Sequence, residues 1–375
     1  MQRLLSCYKI WVLKMRTFSW TISVVSVELL NFAIRANENV RYLTHLVAVI
    51  LLAGCDSKPE IIKISGEELG TQYRITVVAD QPAPDDLSDL IAALIGSVDK
   101  SMSTYRSDSE LSLFNRSAIN KSMRISEDFA NVLALSNEVW EASGFLFDPT
   151  VGPLVDLWGF GPRVFADDRV PPAQEIQSAL SKMGFGAVLL NLDDQDYLLS
   201  KSQNVRIDLS GIAKGYAVDL VANKLEMLAL TDYLVEIGGE VRVSGNNPIG
   251  KPWRVAIEIP QMTGGVQHVL ELQDRALATS GDYRNFFEFE GKRYSHLIDP
   301  RDGYPVEHST VSSTVIMDSC AKADAWSTAF LIMGQKQAMT IANQRGIAVY
   351  IITRSANGFK AFKSLEMESL LALVD

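Results

Sequence analysis

The order of local signals predicts an α+β fold, a single large domain of antiparallel hairpins with packed helices. Three observations carry this. Strand signals arrive in pairs joined by short glycine-containing turns, helical stretches stand apart from them, and no regular strand–helix–strand alternation occurs. No period of 20 to 50 residues repeats, which argues against a solenoid or propeller.

The elements follow in order. Residues 73–79, YRITVVA, alternate and are rich in β-branched side chains, as a strand requires. Residues 85–100 place Leu87, Leu90, Ile91, Leu94 and Val98 at helical spacing, and residues 128–143 read likewise up to Gly144. Residues 159–173, rich in Gly, Pro and Asp, predict an exposed loop. Apolar runs flank NLDDQD within residues 187–200, a hairpin pattern. Residues 205–207 read as a strand entering a glycine-marked turn. A helix follows with Ala213, Ala217, Leu220 and Val221 on one face, and either Asp208 or Ser210 could be its N-cap. Residues 233–245 form two strands about Gly238-Gly239, WRVAIEIP and HVLELQ another pair, and FFEFEGKRYSHLID a third about Glu290-Gly291. Residues 321–333 read as a helix closed by Gly334, and GIAVYIIT as the final core strand.

The chain has 375 residues, 47% hydrophobic and 21% charged, which suits a packed core. Its formal net charge of -10, with no long basic stretch, argues against nucleic acid as a partner. A phosphate ligand would then need local help from backbone N–H groups, a cation or a few placed basic side chains. The cysteines are Cys7, Cys55 and Cys320, too few for a disulfide scaffold and without a CxxC, and the four histidines show no HExxH spacing, so a zinc site is not expected.

Four stretches could carry chemistry. RIDLSGIAKGYAVDLV, residues 206–221, offers a helix N-terminus with Lys214 one turn in, suited to phosphate, or simply a capped helix with glycines for packing. It contains no GxxxxGK[ST] loop. KADAWSTAF places Asp324, Ser327 and Thr328 at i, i+3 and i+4 on one helix face, an all-oxygen set of the kind Mg²⁺ takes, or hydroxyls bonded back to the preceding turn. RYSHLIDPRDGYPV puts His296 and Asp299 at a strand-to-turn junction, where they are site residues or structural ones, and Ser295 cannot complete a nucleophilic triad with them. MSTYRSDSELSLFN and GFLFDPTVGPLVDLWGFGP supply Tyr105, Phe147, Trp158 and Phe160, walls for a flat ring system or ordinary core.

In this order LGTQYRI, MSTYRSDSELSLFN, FDPTVGPLVDLWGFG, IDLSGIAKGYAVD, VEIGGEVRVSG, ATSGDYRNF, YSHLIDPRDGYPV and ADAWSTAF resemble the FAD:protein FMN transferase (ApbE) family, over roughly residues 64–334. The resemblance implies an α+β catalytic domain, here residues 64–375, that binds FAD and Mg²⁺. It implies transfer of FMN to a threonine hydroxyl of a target protein, a redox-pump subunit or other electron-transfer protein, with release of AMP. Flavin contacts would fall on Leu69, Tyr105, Leu146, Phe147, Asp148, Asp208, Lys214 and Ile298, with Leu69 standing where the family often has Met. Metal ligands would be the Gly211 carbonyl, Asp324, Ser327 and Thr328. His296 and Asp299 are the candidates for taking the threonine proton. Water in place of threonine would give an FAD pyrophosphatase, and a site without chemistry a flavin-binding lipoprotein.

Before this domain, Arg41 precedes an apolar run, Leu46 to Ala53, too short to span a bilayer but right for a signal-peptide core. Leu52-Ala53-Gly54-Cys55 resembles a bacterial lipobox, which would leave Cys55 lipidated at the mature N-terminus, residues 55–63 as a tether and residues 40–54 as signal peptide. The alternative is a buried helix with an inert Cys55. Asp56 then points to the inner membrane, periplasmic side. Residues 1–39 read as an extension ahead of a start near Val40.

Overall fold

The structure, a computed structural model, describes residues 59–161, 170–261, 265–282, 286–356 and 358–372. The expected extension, signal segment and Cys55 lie outside these residues. Strands β1 (Glu60–Glu68) and β2 (Thr71–Ala79) form a hairpin in which Glu68 pairs with Thr71. Residues 60–63, expected as tether, are therefore sheet, with Ile62 and Ile64 turned toward the core. The hairpin loop is Leu69-Gly70, at φ +54° and +70°, the paired left-handed geometry of a type I′ turn.

Helices α1 (Leu87–Met102) and α2 (Glu110–Arg116), strand β3 (Met123–Ile125) and helix α3 (Glu127–Ala142) follow. Ser109 and Ser126 cap α2 and α3 by accepting from Ser112 and Phe129 N–H. Next come α4 (Gly152–Leu157), α5 (Ala173–Leu180), and the hairpin β4 (Val188–Asp193) and β5 (Asp196–Lys201). The strand expected at 205–207 does not form. Asn115 occupies the partner's place, donating to Ile207 C=O at 2.8 Å and accepting from its N–H at 2.7 Å, while the buried Lys201 ammonium donates to Val205 C=O at 3.0 Å. Helix α6 (Ala213–Met227) starts later than expected, with Ile212 at the cap position and no capping side chain.

Strands β6 (Asp232–Ile237), β7 (Glu240–Ser244), β8 (Trp253–Glu258), β9 (Val266–Leu272), β10 (Arg275–Gly281), β11 (Phe286–Phe289), β12 (Lys292–Ser295) and β13 (Thr310–Met317) lead to α7 (Cys320–Arg345). Gly334 does not end α7 as its sequence position suggested; it kinks it, at φ 75° and ψ 162°. The groups freed by the kink are met from outside: His308 Nε2 bonds Ile332 C=O at 3.1 Å and Thr310 Oγ1 accepts Gln335 N–H at 2.9 Å. Strands β14 (Ala348–Ser355) and β15 (Gly358–Lys363) and helix α8 (Leu365–Ala372) close the chain, so GIAVYIIT is followed by an edge strand rather than being last.

One antiparallel sheet in the order β1-β2-β6-β7-β10-β13-β14-β15 organises these elements. Alternation sends Tyr73, Ile75, Val77, Val235 and Ala278 to one face, where α1, α3, α6 and α7 bury them. Val243, Leu277 and Ile316 face the other way, under the β8–β9 hairpin and α8. A third cluster joins Leu154, Trp158, Ile176 and Ile298, with Phe287 and Tyr294 of β11–β12 packed against it.

Candidate active site

A cleft of about 470 Å³ is walled by Phe147 and Asp148 after α3, by residues 208–214 leading into α6, and by Gly238 and Glu240 at the β6–β7 turn. The end of β10, His296 to Ile298, and Asp324 and Thr328 of α7 complete it. Two hydrogen bonds fix the loop: Asp208 N–H donates to Pro149 C=O at 2.7 Å, and Asp208 Oδ1 accepts from Ser210 N–H at 2.9 Å. Asp208 and Ser210 thus shape a turn and do not cap α6. Asp148 accepts from Thr150 N–H at 2.7 Å and Thr150 Oγ1 at 2.5 Å; burial pushes its carboxyl above the ordinary range, against the pull of these bonds.

Helices α6 and α7 meet backbone to backbone. A Cβ on Gly215 would lie 2.4 Å from the Cys320 carbonyl oxygen, so only glycine fits. Asp219 of α6 caps the start of α7, accepting from Ser319 Oγ and from Cys320 and Ala321 N–H at 2.8 to 3.0 Å, and Arg242 donates at 3.1 Å to the same Oδ1 that takes the Cys320 N–H. This seats Asp324 one turn later, where its Oδ2 accepts Gly215 N–H at 3.1 Å. In an uninterrupted helix that N–H would go to the Gly211 carbonyl, which is thereby released at the cleft wall.

The electrostatic centre joins the half-buried Lys214 to two buried acids. Lys214 Nζ lies 3.3 Å from Glu240 Oε1 and 3.6 Å from Asp324 Oδ2, and both carboxylates are nearly dry, at 4% and 3% side-chain exposure. Burial alone would lower the Lys214 pKa, and the Asp324 and Glu240 charges outweigh it, so the net shift is upward and the ammonium stays charged. Burial pushes the Glu240 carboxyl up to about 8, with Lys214 opposing.

Of the residues expected at the site, Tyr105, Leu146, Phe147, Asp148, Asp208, Gly211, Lys214, His296, Ile298, Asp324 and Thr328 line this cleft, Tyr105 as an 83% exposed rim. Three do not. Leu69 sits at the hairpin turn in a neighbouring groove that shares Gly238 and Thr279 with the cleft. Asp299 is engaged by Arg301 Nε at 2.9 Å and Nη2 at 2.6 Å, and its backbone closes the turn with Tyr304 and Gly303, so it builds the loop beside His296. Ser327 bonds back to Asp324 C=O at 2.8 Å and reaches Ser280 Oγ at 2.7 Å, so it faces the cleft through Ser280, which also meets Thr328 Oγ1 at 3.0 Å. Glu240 and Ser280 were not singled out from sequence, although VEIGGEVRVSG and ATSGDYRNF contain them.

The donors fit a hard divalent cation: the Asp324 carboxylate, the Thr328 and Ser280 hydroxyls and the Gly211 carbonyl are all oxygen. The approach at Gly211 is close, since a Cβ there would lie 3.4 Å from Thr328 Oγ1 and 3.2 Å from Phe147 Cε2. Among the described residues no three His, Cys, Asp or Glu side chains converge, so a cation here relies on hydroxyl and backbone oxygen.

The sequence model of the ApbE family matches residues 69–351. The FAD:protein FMN transferase of Haemophilus influenzae is 39% identical over 340 residues, covering 87% of this chain and 98% of that protein. The Escherichia coli K12 protein of the same name is 35% identical over 337 residues, covering 87% of this chain and 96% of that one. Among solved structures, the apo flavinyl transferase ApbE of Pseudomonas stutzeri superposes with TM-score 0.76 at 36% identity, covering 83% of this chain and 97% of its own. The Vibrio cholerae flavin transferase ApbE gives 0.74 at 39% identity, covering 83% and 99%.

Proposed function

The chain belongs to the ApbE family, and we propose on that premise that it is an FAD:protein FMN transferase, moving FMN from FAD to a threonine hydroxyl of a redox-protein target. The observation that carries the reading is the convergence in one cleft of Phe147-Asp148, the 208–214 loop, His296-Ile298 and the Asp324/Thr328 face of α7.

Phe147, Leu146 and Ile298 offer apolar surface to the flavin, and Asp148 and Asp208 offer polar edges beside it. Lys214 places a permanent positive charge at the diphosphate end, where charge builds during transfer. Asp324 and Thr328, with Ser280 and the Gly211 carbonyl, would hold Mg²⁺, which when bound supplies neutralisation of the phosphate oxygens. His296 is the cleft's candidate base for the threonine proton. The threonine oxygen forms a bond to the FMN phosphorus, the bond from that phosphorus to the bridging oxygen breaks, and the bridging oxygen leaves with AMP.

We also propose that Cys55 carries lipid and holds the domain at the periplasmic face of the inner membrane, a reading supported by the lipobox-like Leu52-Ala53-Gly54-Cys55 and by Asp56. Incubation of protein, FAD, Mg²⁺ and a candidate redox subunit, followed by flavin fluorescence of the denatured acceptor and AMP measurement, tests the chemistry. Labelled acceptor with equal AMP is expected. AMP alone indicates hydrolysis, and neither product indicates a binder. Asp324→Ala should lower transfer by at least about a thousandfold; retained turnover would remove Asp324 from the cation site.

A further inference from the structure

Glu240 is a buried acid at the cleft, and no step above uses it. Its Oε1 faces the Lys214 ammonium at 3.3 Å, while Oε2 is buried with no hydrogen-bond partner among the described residues. Buried carboxylate oxygens are normally satisfied, so a bare one beside a mobile donor calls for an explanation. The donor is at hand. Lys214 divides its ammonium between Glu240 and Asp324, and Asp324 Oδ2 is at once held by Gly215 N–H. One of the two donors on Asp324 is fixed in the backbone of α6; the other rides on a rotatable side chain.

Charge adds to geometry. Two acids face one ammonium in a nearly dry site, so an incoming cation competes with Lys214 for Asp324. An ammonium left against Asp324 would then repel that cation across a poorly screened gap. Retreat along the stem is confined, because the Lys214 chain runs against Gly238, where a Cβ would lie 3.2 Å from its Cδ. Glu240 is the acceptor within reach.

We propose that Lys214 is a tethered counter-ion for Asp324, and that Glu240 is the seat to which its ammonium withdraws when a divalent cation takes Asp324, the bare Oε2 completing a two-oxygen grip. Glu240 is thus a positioning residue acting through Lys214. The proposal rests on the assignment of Asp324 as cation ligand made under the proposed function.

The test is Mg²⁺ titration of the full chain without FAD, read by calorimetry and by thermal shift. Glu240→Gln, nearly the same shape, should weaken Mg²⁺ binding about five- to tenfold, because the ammonium has no charged seat to withdraw to. Lys214→Met should strengthen binding by a similar factor, because the competitor is gone. In the Lys214→Met background, Glu240→Gln should cost little more, since the two act as one unit. Glu240→Asp keeps the charge and should recover part of the loss, which a misfolded site would not. Wild-type affinity in Glu240→Gln, or an equal loss in both Lys214 backgrounds, overturns the proposal. A wild type that labels its acceptor while Glu240→Gln binds Mg²⁺ normally leaves the transferase reading standing and removes the seat. The expected loss in Glu240→Gln and gain in Lys214→Met with no labelled acceptor keeps the seat and removes the transferase reading, and a wild type that takes up no Mg²⁺ removes both the ligand set and the seat.

Discussion

At the scale of single residues, two positions decide how the site is held. Gly215 is required by space: an added methyl would meet the Cys320 carbonyl and the Ala321 Cα, both backbone. Gly215→Ala should therefore destabilise by about 1–3 kcal/mol, read as a lower denaturant midpoint with unchanged slope. Asp148 carries a pH dependence. Its folded pKa is raised by burial, so the folded state holds the proton more tightly than the unfolded chain. Its contribution to stability is present below the ordinary carboxylate value and is lost as pH rises through the raised one. Asp148→Asn keeps an oxygen for Thr150 and removes the charge, so its Tm relative to wild type should climb as pH rises above the ordinary carboxylate range. A flat difference would contradict the assigned shift. Much at this scale was legible: Asp324, Thr328, Gly211 and Lys214 stand in motif blocks and meet in space. Glu240 stood in a quoted block too, but its importance lies in an unpaired oxygen and a neighbour 26 residues back in sequence, which no local pattern records.

At the scale of elements, the strands were the readable part, because alternation on a half-buried sheet is a direct imprint of its two faces. Two of the misses share one cause: a side chain did the work of backbone. Residues 205–207 have the composition of a strand, and Asn115 supplies both hydrogen bonds a neighbouring strand would have made. Gly334 is a proper stop signal, and His308 and Thr310 satisfy the broken turn so that α7 resumes. Asn115→Ala should leave the Ile207 N–H and C=O unmatched and cost about 1–3 kcal/mol. Because Asp208 is next in the chain, the same variant should weaken FAD binding more than it lowers turnover at saturation. A loss confined to turnover would place the effect elsewhere.

At the scale of the whole molecule, the sheet order accounts for what the sequence hid. β7 and β10 are neighbours, so Glu240 and Ser280 flank the same cleft although 40 residues separate them. No spacing rule reports a β7–β10 adjacency, since it follows from how the large antiparallel sheet closes. Since elements from α3 to α7 contribute walls, ligand binding should stabilise the domain as a unit. FAD with Mg²⁺ at a hundred times Kd should add about 2.7 kcal/mol to unfolding, and Asp324→Ala should lose most of the Mg²⁺-dependent share. The contact between Gly215 and Asp324 has one more consequence. It ties positions 109 residues apart, and the Asn115–Ile207 pair ties others 92 apart. Closing such spans is slow compared with forming helices and hairpins, so in refolding the capacity to take up flavin should trail the far-UV signal. A growing chain completes the site only after α7 has been made.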